Sequence, residues 1–167
     1  LVTFREEKGR PGRPAHVYRL APAAEALFPR AYDALSRELL QDVAAEDPAL
    51  LQRLFAQGRR RRVERARERI AGLDFDAQVA ELAQMLDDDG YLAEWQPLED
   101  GSYRITEHNC AIIGIAQEHG HACLTEIEFL REVLPEAKIE RVAYMMESGH
   151  ICAYRVSPPL PGSASRG

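Results

Sequence analysis

Three cysteines and a group of histidines crowd into one stretch of this 167-residue chain. Twelve residues separate Cys110 from Cys123, and twenty-eight separate Cys123 from Cys152. His119, His121 and His150 lie within that stretch, and His108 sits just before it. Thiolate and imidazole are soft or borderline ligands that suit zinc and iron–sulfur clusters, so the first chemistry to weigh is a metal or cluster site. No CxxC pair offers local chelation, so any such site depends on the fold bringing distant thiols together. The opposing reading is three small core residues, because free cysteine is among the most buried types. Spacing alone leaves both readings standing.

The elements that carry the cysteines can be read from periodicity. Asn109 is placed to cap a helix holding Ile112, Ile113, Ile115 and Ala116, closed by Gly120. Cys110 would then sit at a helix start, where free N–H groups and the positive end of the dipole favour a thiolate. Cys123, Ile127, Leu130 and Leu134 recur at i, i+4, i+7 and i+11, which puts Cys123 on the apolar face of a second helix. Residues 91–95 and 103–106 read as strands joined through the turn at 97–101, and residues 139–146 and 151–156 as a later pair. Cys152 shares one side of the last strand with Tyr154 and Val156. Trp95, the only tryptophan, is expected in the core. The fold class is α+β, ending in an antiparallel sheet of about four strands with two helices on one face.

Upstream, residues 1–4 and 16–20 are β-prone and flank a loop rich in Gly, Pro and cations, the pattern of a β-hairpin. One reading is a basic surface loop. The other is the wing of a winged helix-turn-helix, with Lys8, Arg10 and Arg13 reaching DNA phosphates or a minor groove. A chain that opens inside a hairpin implies an N-terminal part beyond it. Next, Leu35, Leu39, Leu40 and Val43 recur at helical spacing, and Pro48 opens a stretch with Leu50, Leu51, Leu54 and Phe55 that Gly58 is expected to end. Such leucine stripes face a core or a partner helix.

Arg59 through Arg62 resemble a nucleic-acid patch, but Glu64 and Glu68 follow Arg60 at i, i+4 spacing, which favours a solvated, ion-paired connecting helix. Asp74 and the apolar face of Phe75, Val79, Leu82, Ala83 and Leu86 mark an amphipathic helix stopped by Gly90. The run Asp87 to Asp89 lacks the ligand spacing of a calcium loop and reads as an acidic helix end.

Basic residues number 21 and acidic ones 27, a net charge of −6 that does not by itself advertise nucleic acid. No apolar run is long enough to span a bilayer, no signal peptide is legible, and the odd cysteine count argues against a secreted disulfide framework. A cytoplasmic protein with free thiols is expected. A phosphate-binding Gly loop, a nucleophile elbow and an HExxH pair are all missing from the sequence, so an enzyme is the least favoured class.

Two runs then point to a family. Residues 9–14, 18–20 and 24–28 resemble the wing and following helix of SufR-type transcriptional regulators, winged-helix proteins with an ArsR/DeoR-like DNA-binding domain. Glu107, His108, Asn109, Cys110, Ala116, His119, Cys123, Glu126, Leu134, Arg141, Gly149, Cys152 and Tyr154 resemble their sensor domain, including its cysteine spacing. The resemblance covers residues 1 to about 157. It implies a cytoplasmic homodimer that binds operator DNA and represses the suf genes of iron–sulfur cluster assembly. It also implies a [4Fe–4S] cluster on each subunit, held by Cys110, Cys123 and Cys152. The domains implied are a wing at residues 1–28, linking and dimerisation helices at 29–72, a sensor at 73–157 and a disordered tail at 158–167.

Some family members carry a fourth cysteine between the second and third, and this chain does not. Three thiolates leave one iron of a cubane in need of a ligand, for which His119, His121, His150 and Glu126 are the candidates. The rival readings are zinc held by the three cysteines and a histidine, or a haem sensor with Cys152 or His150 as axial ligand.

Overall fold

The computed structural model describes residues 1–7, 15–27, 31–147 and 149–159. Lys8, Arg10, Arg13 and Phe28 lie outside the described residues, as does the tail from residue 160. The chain divides into two compact units, Leu1–Ser36 and Arg37–Gly167.

In the first unit, β1 (Val2–Glu7) and β2 (Ala15–Leu20) pair antiparallel in a register running from Val2 opposite Leu20 to Glu7 opposite Ala15. The hairpin matches the sequence expectation. Phe4 packs on His16 and Tyr18, with ring centroids 4.6 and 6.0 Å away. A short 3-10 helix follows at Pro22–Leu27.

Helix α1 (Tyr32–Glu46) leads to α2 (Pro48–Ile70), which Asp47 caps by accepting from Leu50 N at 3.0 Å, with Pro48 in the first turn where its missing N–H is harmless. The expected stop at Gly58 does not occur. Glycine costs a helix interior only about 1 kcal/mol, and Leu51, Val63, Ala66 and Ile70 bury one side of α2 on both flanks of it. Helix α3 (Phe75–Leu86), capped by Asp74 toward Ala77 N at 2.9 Å, buries Val79, Leu82, Ala83, Met85 and Leu86. It runs into a π-type turn at Asp87–Tyr91, where Gly90 takes φ +92° to reverse the chain.

Strands β3 (Ala93–Pro97) and β4 (Tyr103–Glu107) form a hairpin. Helices α4 (Ile113–Glu118) and α5 (His121–Val133) come next, then β5 (Lys138–Ala143) and β6 (Cys152–Ser157). The four strands lie in the order β3-β4-β6-β5, all antiparallel, as the α+β reading expects. One face of this sheet, carrying Tyr103, Ile105, Ile139, Tyr154 and Val156, packs with α3 and α5, and α2 closes over both. α2, a connector in the sequence reading, thus supplies Val63, Ala66 and Ile70 to the core. Trp95 sits at the rim, 38% exposed and 5.7 Å from the Tyr103 ring, because it lies on the edge strand.

Arg53 of α2 pairs with Asp47, the cap of its own helix, whereas three arginines further along pair across elements. Arg59 pairs with Glu128 and Glu132 of α5, Arg62 with Glu126 and Asp89, and Arg69 with Glu81 and Asp88. These pairs give the Asp87–Asp89 run a structural reason that its position at a helix C-terminus did not suggest. Among the described residues, no helix is long and apolar enough to cross a membrane.

Candidate metal centre

Cys110, Cys123 and Cys152 come from three separate elements and line one pocket. Cys110 follows β4, Cys123 is the third residue of α5 and Cys152 opens β6. Their pocket companions include Tyr91, Glu107, Glu126, Arg141, Tyr144 and Tyr154. All three thiols are free and half-buried. The geometry therefore unites the three sequence-predicted ligands and does not scatter them through the core.

Local structure fixes each sulfur. β4 and β6 pair so that Glu107 stands opposite Cys152 and Ile105 opposite Tyr154. Residues directly opposite share a face, which puts the Cys152 thiol beside the Glu107 carboxylate on the buried side. The segment joining β5 to β6 folds back over Cys152, and Met145 N donates to its Sγ at 3.5 Å. Cys123 is held from behind by Arg141, whose Nη2 donates to the Cys123 carbonyl at 2.6 Å. Arg141 also lies over the Tyr144 ring at 4.6 Å and the Tyr154 ring at 5.6 Å.

Cys110 differs from expectation. α4 begins at Ile113 with no side-chain cap, while Asn109 Nδ2 donates to the Gly90 carbonyl at 2.7 Å. Asn109 ties the strand exit to the π-type turn and does not cap a helix over Cys110. Burial pushes the Cys110 thiol up, against the Ile112 N–H that lowers it, with the other two thiols and Glu107 adding to the rise. Cys152 is likewise raised, first by burial. The Tyr144 hydroxyl is pushed up to about 12 by its hydrogen bond to Cys123 and then by burial. Burial raises Glu107 to about 8, with Glu126 adding to it and Arg62 and Arg141 opposing. Burial therefore works against the thiolate form at Cys110 and Cys152, and nearby positive charge would favour it.

The four candidate fourth ligands part company. Glu126 lines the pocket, but its oxygens are engaged by Arg62 at 3.0 and 3.4 Å. His121 Nε2 meets Gln52 Nε2 at 3.2 Å on the far side of α5, and His150 is exposed. His119 has a buried, unpartnered Nε2 but does not line the cysteine pocket. Sequence reading missed Glu107 and Arg141 as wall residues. The signal for Glu107 was its phase, two residues after Ile105 and four after Tyr103 on a half-buried strand.

Among the described residues, no group of three or more His, Cys, Asp or Glu side chains is disposed to hold a metal ion. A tetrahedral zinc–thiolate site would place sulfurs about 3.8 Å apart, given Zn–S bonds of about 2.3 Å. Each thiolate of a cubane binds a different iron, so its ligands need no such convergence. The free volume between the walls is about 20 Å³, roughly one water, so uptake of a cluster requires them to separate. Next to this pocket, and sharing Tyr91, Ile112, Ala122 and Glu126 with it, is a cavity of about 420 Å³ bounded by α1, α2 and α5. Comparison with protein families, with curated proteins and with solved structures returns no match. The functional reading therefore stands on the residues themselves.

Proposed function

We propose that this chain carries the wing and the sensor of a winged-helix transcriptional repressor of iron–sulfur cluster assembly genes. In this reading Cys110, Cys123 and Cys152 hold a [4Fe–4S] cluster, and the protein acts as a cytoplasmic homodimer on double-stranded operator DNA. The observation that supports it is the placement of all three cysteines, from three elements, in one pocket walled by buried charged groups. The same cysteine spacing carries the resemblance to SufR-type regulators. Zinc has weaker support, because among the described residues no group of three or more His, Cys, Asp or Glu side chains converges on a single ion. A haem has less support, because His150 is exposed and does not line the cysteine pocket.

When bound, such a cluster supplies a tie that depends on iron supply and on oxidants. The chain's own residues turn that tie into a conformational signal. On ligation the thiols of Cys110 and Cys152 give up protons that burial otherwise holds, and Arg141 lies alongside to offset the charge. Ligated, Cys110, Cys123 and Cys152 lock the β4 exit, α5 and β6 to one another. Freed, these elements keep only their direct packing. A shift of α5 passes to α2 through Glu126–Arg62 and Glu128–Arg59. Leu39, Leu50 and Leu54 are 55%, 36% and 40% exposed on α1 and α2, a suitable face for a second copy of the chain. DNA contact is assigned to the hairpin loop with Lys8, Arg10 and Arg13.

The test is the Cys123→Ser protein. After oxygen-free reconstitution it should hold little iron and sulfide compared with wild type. Retention of a full complement would overturn the ligand assignment.

A further inference from the structure

Resting on the cluster reading above, we propose that Glu107 supplies the fourth ligand, an oxygen donor to the iron that the three cysteines leave without a protein ligand. Four observations carry it. Glu107 is 3% exposed, and its Oε1 is buried with no hydrogen-bond partner. Such an atom is costly in a folded protein and is retained where something else satisfies it. Its side chain lines the pocket that all three cysteines line. It stands opposite Cys152 in the β4–β6 register, so the two side chains leave the sheet on the same face with Cβ atoms about 5 Å apart.

The competing donors are occupied or misplaced. Arg62 holds both oxygens of Glu126, and none of the three histidines lines the pocket. Iron takes a carboxylate oxygen beside imidazoles in non-haem iron sites, so the donor type is chemically suitable. Arg141 lines the same pocket with its Nε buried and unpartnered, which provides an N–H donor for a cluster sulfide or for the carboxylate oxygen not bound to iron. A site with three sulfurs and one oxygen has one corner that differs from the rest. That corner is the first to release its iron.

The experiment uses the full chain carrying Glu107→Gln, Glu107→Ala or Glu107→Cys, reconstituted without oxygen beside wild type. Ferricyanide removes one electron from the cubane, which then releases Fe²⁺ and leaves a [3Fe–4S] cluster with an EPR signal. Glu107→Gln and Glu107→Ala should lose this iron about tenfold or more faster than wild type, and Glu107→Cys should restore retention. Equal loss rates in all four proteins, with an unchanged Mössbauer signature of the unique iron, would overturn the assignment. If wild type and Glu107→Cys take up no iron and sulfide at all, the cluster reading itself fails. Far-UV circular dichroism of the metal-free proteins separates a lost ligand from a lost fold, and Glu107→Gln conserves the side-chain volume.

Discussion

Replacing Arg62 with Met should destabilise the protein far more than removal of any other arginine of α2. The Arg62 side chain is only 20% exposed and its partner Glu126 only 8%. Its guanidinium lies over the Phe129 ring at 4.2 Å and also meets Asp89 at 3.0 Å. Burial alone would disfavour its charge, but Glu126 outweighs this and holds the pKa above the usual value. Removing Arg62 strands the Glu126 carboxylate inside the protein, a situation that costs about 3–5 kcal/mol. For a unit of this size that corresponds to a fall in Tm of roughly 10–20 °C. The double variant Arg62→Met with Glu126→Leu removes both charges and should recover most of the loss, because an apolar pair avoids the desolvation penalty. Thermal and urea unfolding of the metal-free, reduced protein, followed by far-UV circular dichroism, gives the double-mutant cycle. A cost below about 1 kcal/mol for Arg62→Met, typical of a surface pair, would refute the reasoning. So would a double variant no more stable than the single one.

Other consequences are as direct. The folded Glu107 carboxyl, raised by burial to about 8 from 4.5, favours the protonated form, so its contribution to stability is present below pH 4.5 and is lost as pH climbs through 8. In metal-free protein, the stability advantage of Glu107→Gln over wild type should therefore grow between pH 5 and pH 9 by on the order of 4 kcal/mol; a flat difference would remove this account. Leu82→Ala, at a fully buried position of α3, should cost about 2–5 kcal/mol in urea unfolding. Leu92→Gly, at an exposed residue with φ +49°, should instead be neutral or stabilising by about 1 kcal/mol. A Cβ at Gly149 would lie 2.8 Å from the Tyr144 carbonyl oxygen, so Gly149→Ala must shift the turn that delivers Cys152. Iron retention after reconstitution should fall while the melting temperature of the apoprotein changes little.

Legibility in the sequence followed the length scale of the cause. The period-2 and period-3.6 patterns are local, and they placed β4, β6, α3 and α5 with the right faces inward. Cys123 and Cys152 were assigned to their elements on that basis. Signals that depend on a remote partner were misread. Gly58 looks like a helix stop until the buried Val63, Ala66 and Ile70 beyond it hold the helix together. Asn109 looks like an N-cap until its amide finds the Gly90 carbonyl. Asp88 and Asp89 look idle until Arg69 and Arg62 arrive from α2. Glu107 went unassigned because an acidic residue at the end of a short strand is ordinarily solvated. Only the pairing of β4 with β6 puts it beside Cys152 under cover.

The central claim is that Cys110, Cys123 and Cys152 form a cluster site. Its most direct test is the visible absorption and the iron, sulfide and zinc content of the wild-type chain purified without oxygen. The account predicts a brown protein with iron and acid-labile sulfide in equal amounts, matching one cubane per chain. That colour should be bleached on exposure to air and absent from the triple Cys→Ser variant. A colourless protein carrying one equivalent of zinc and no sulfide would contradict it.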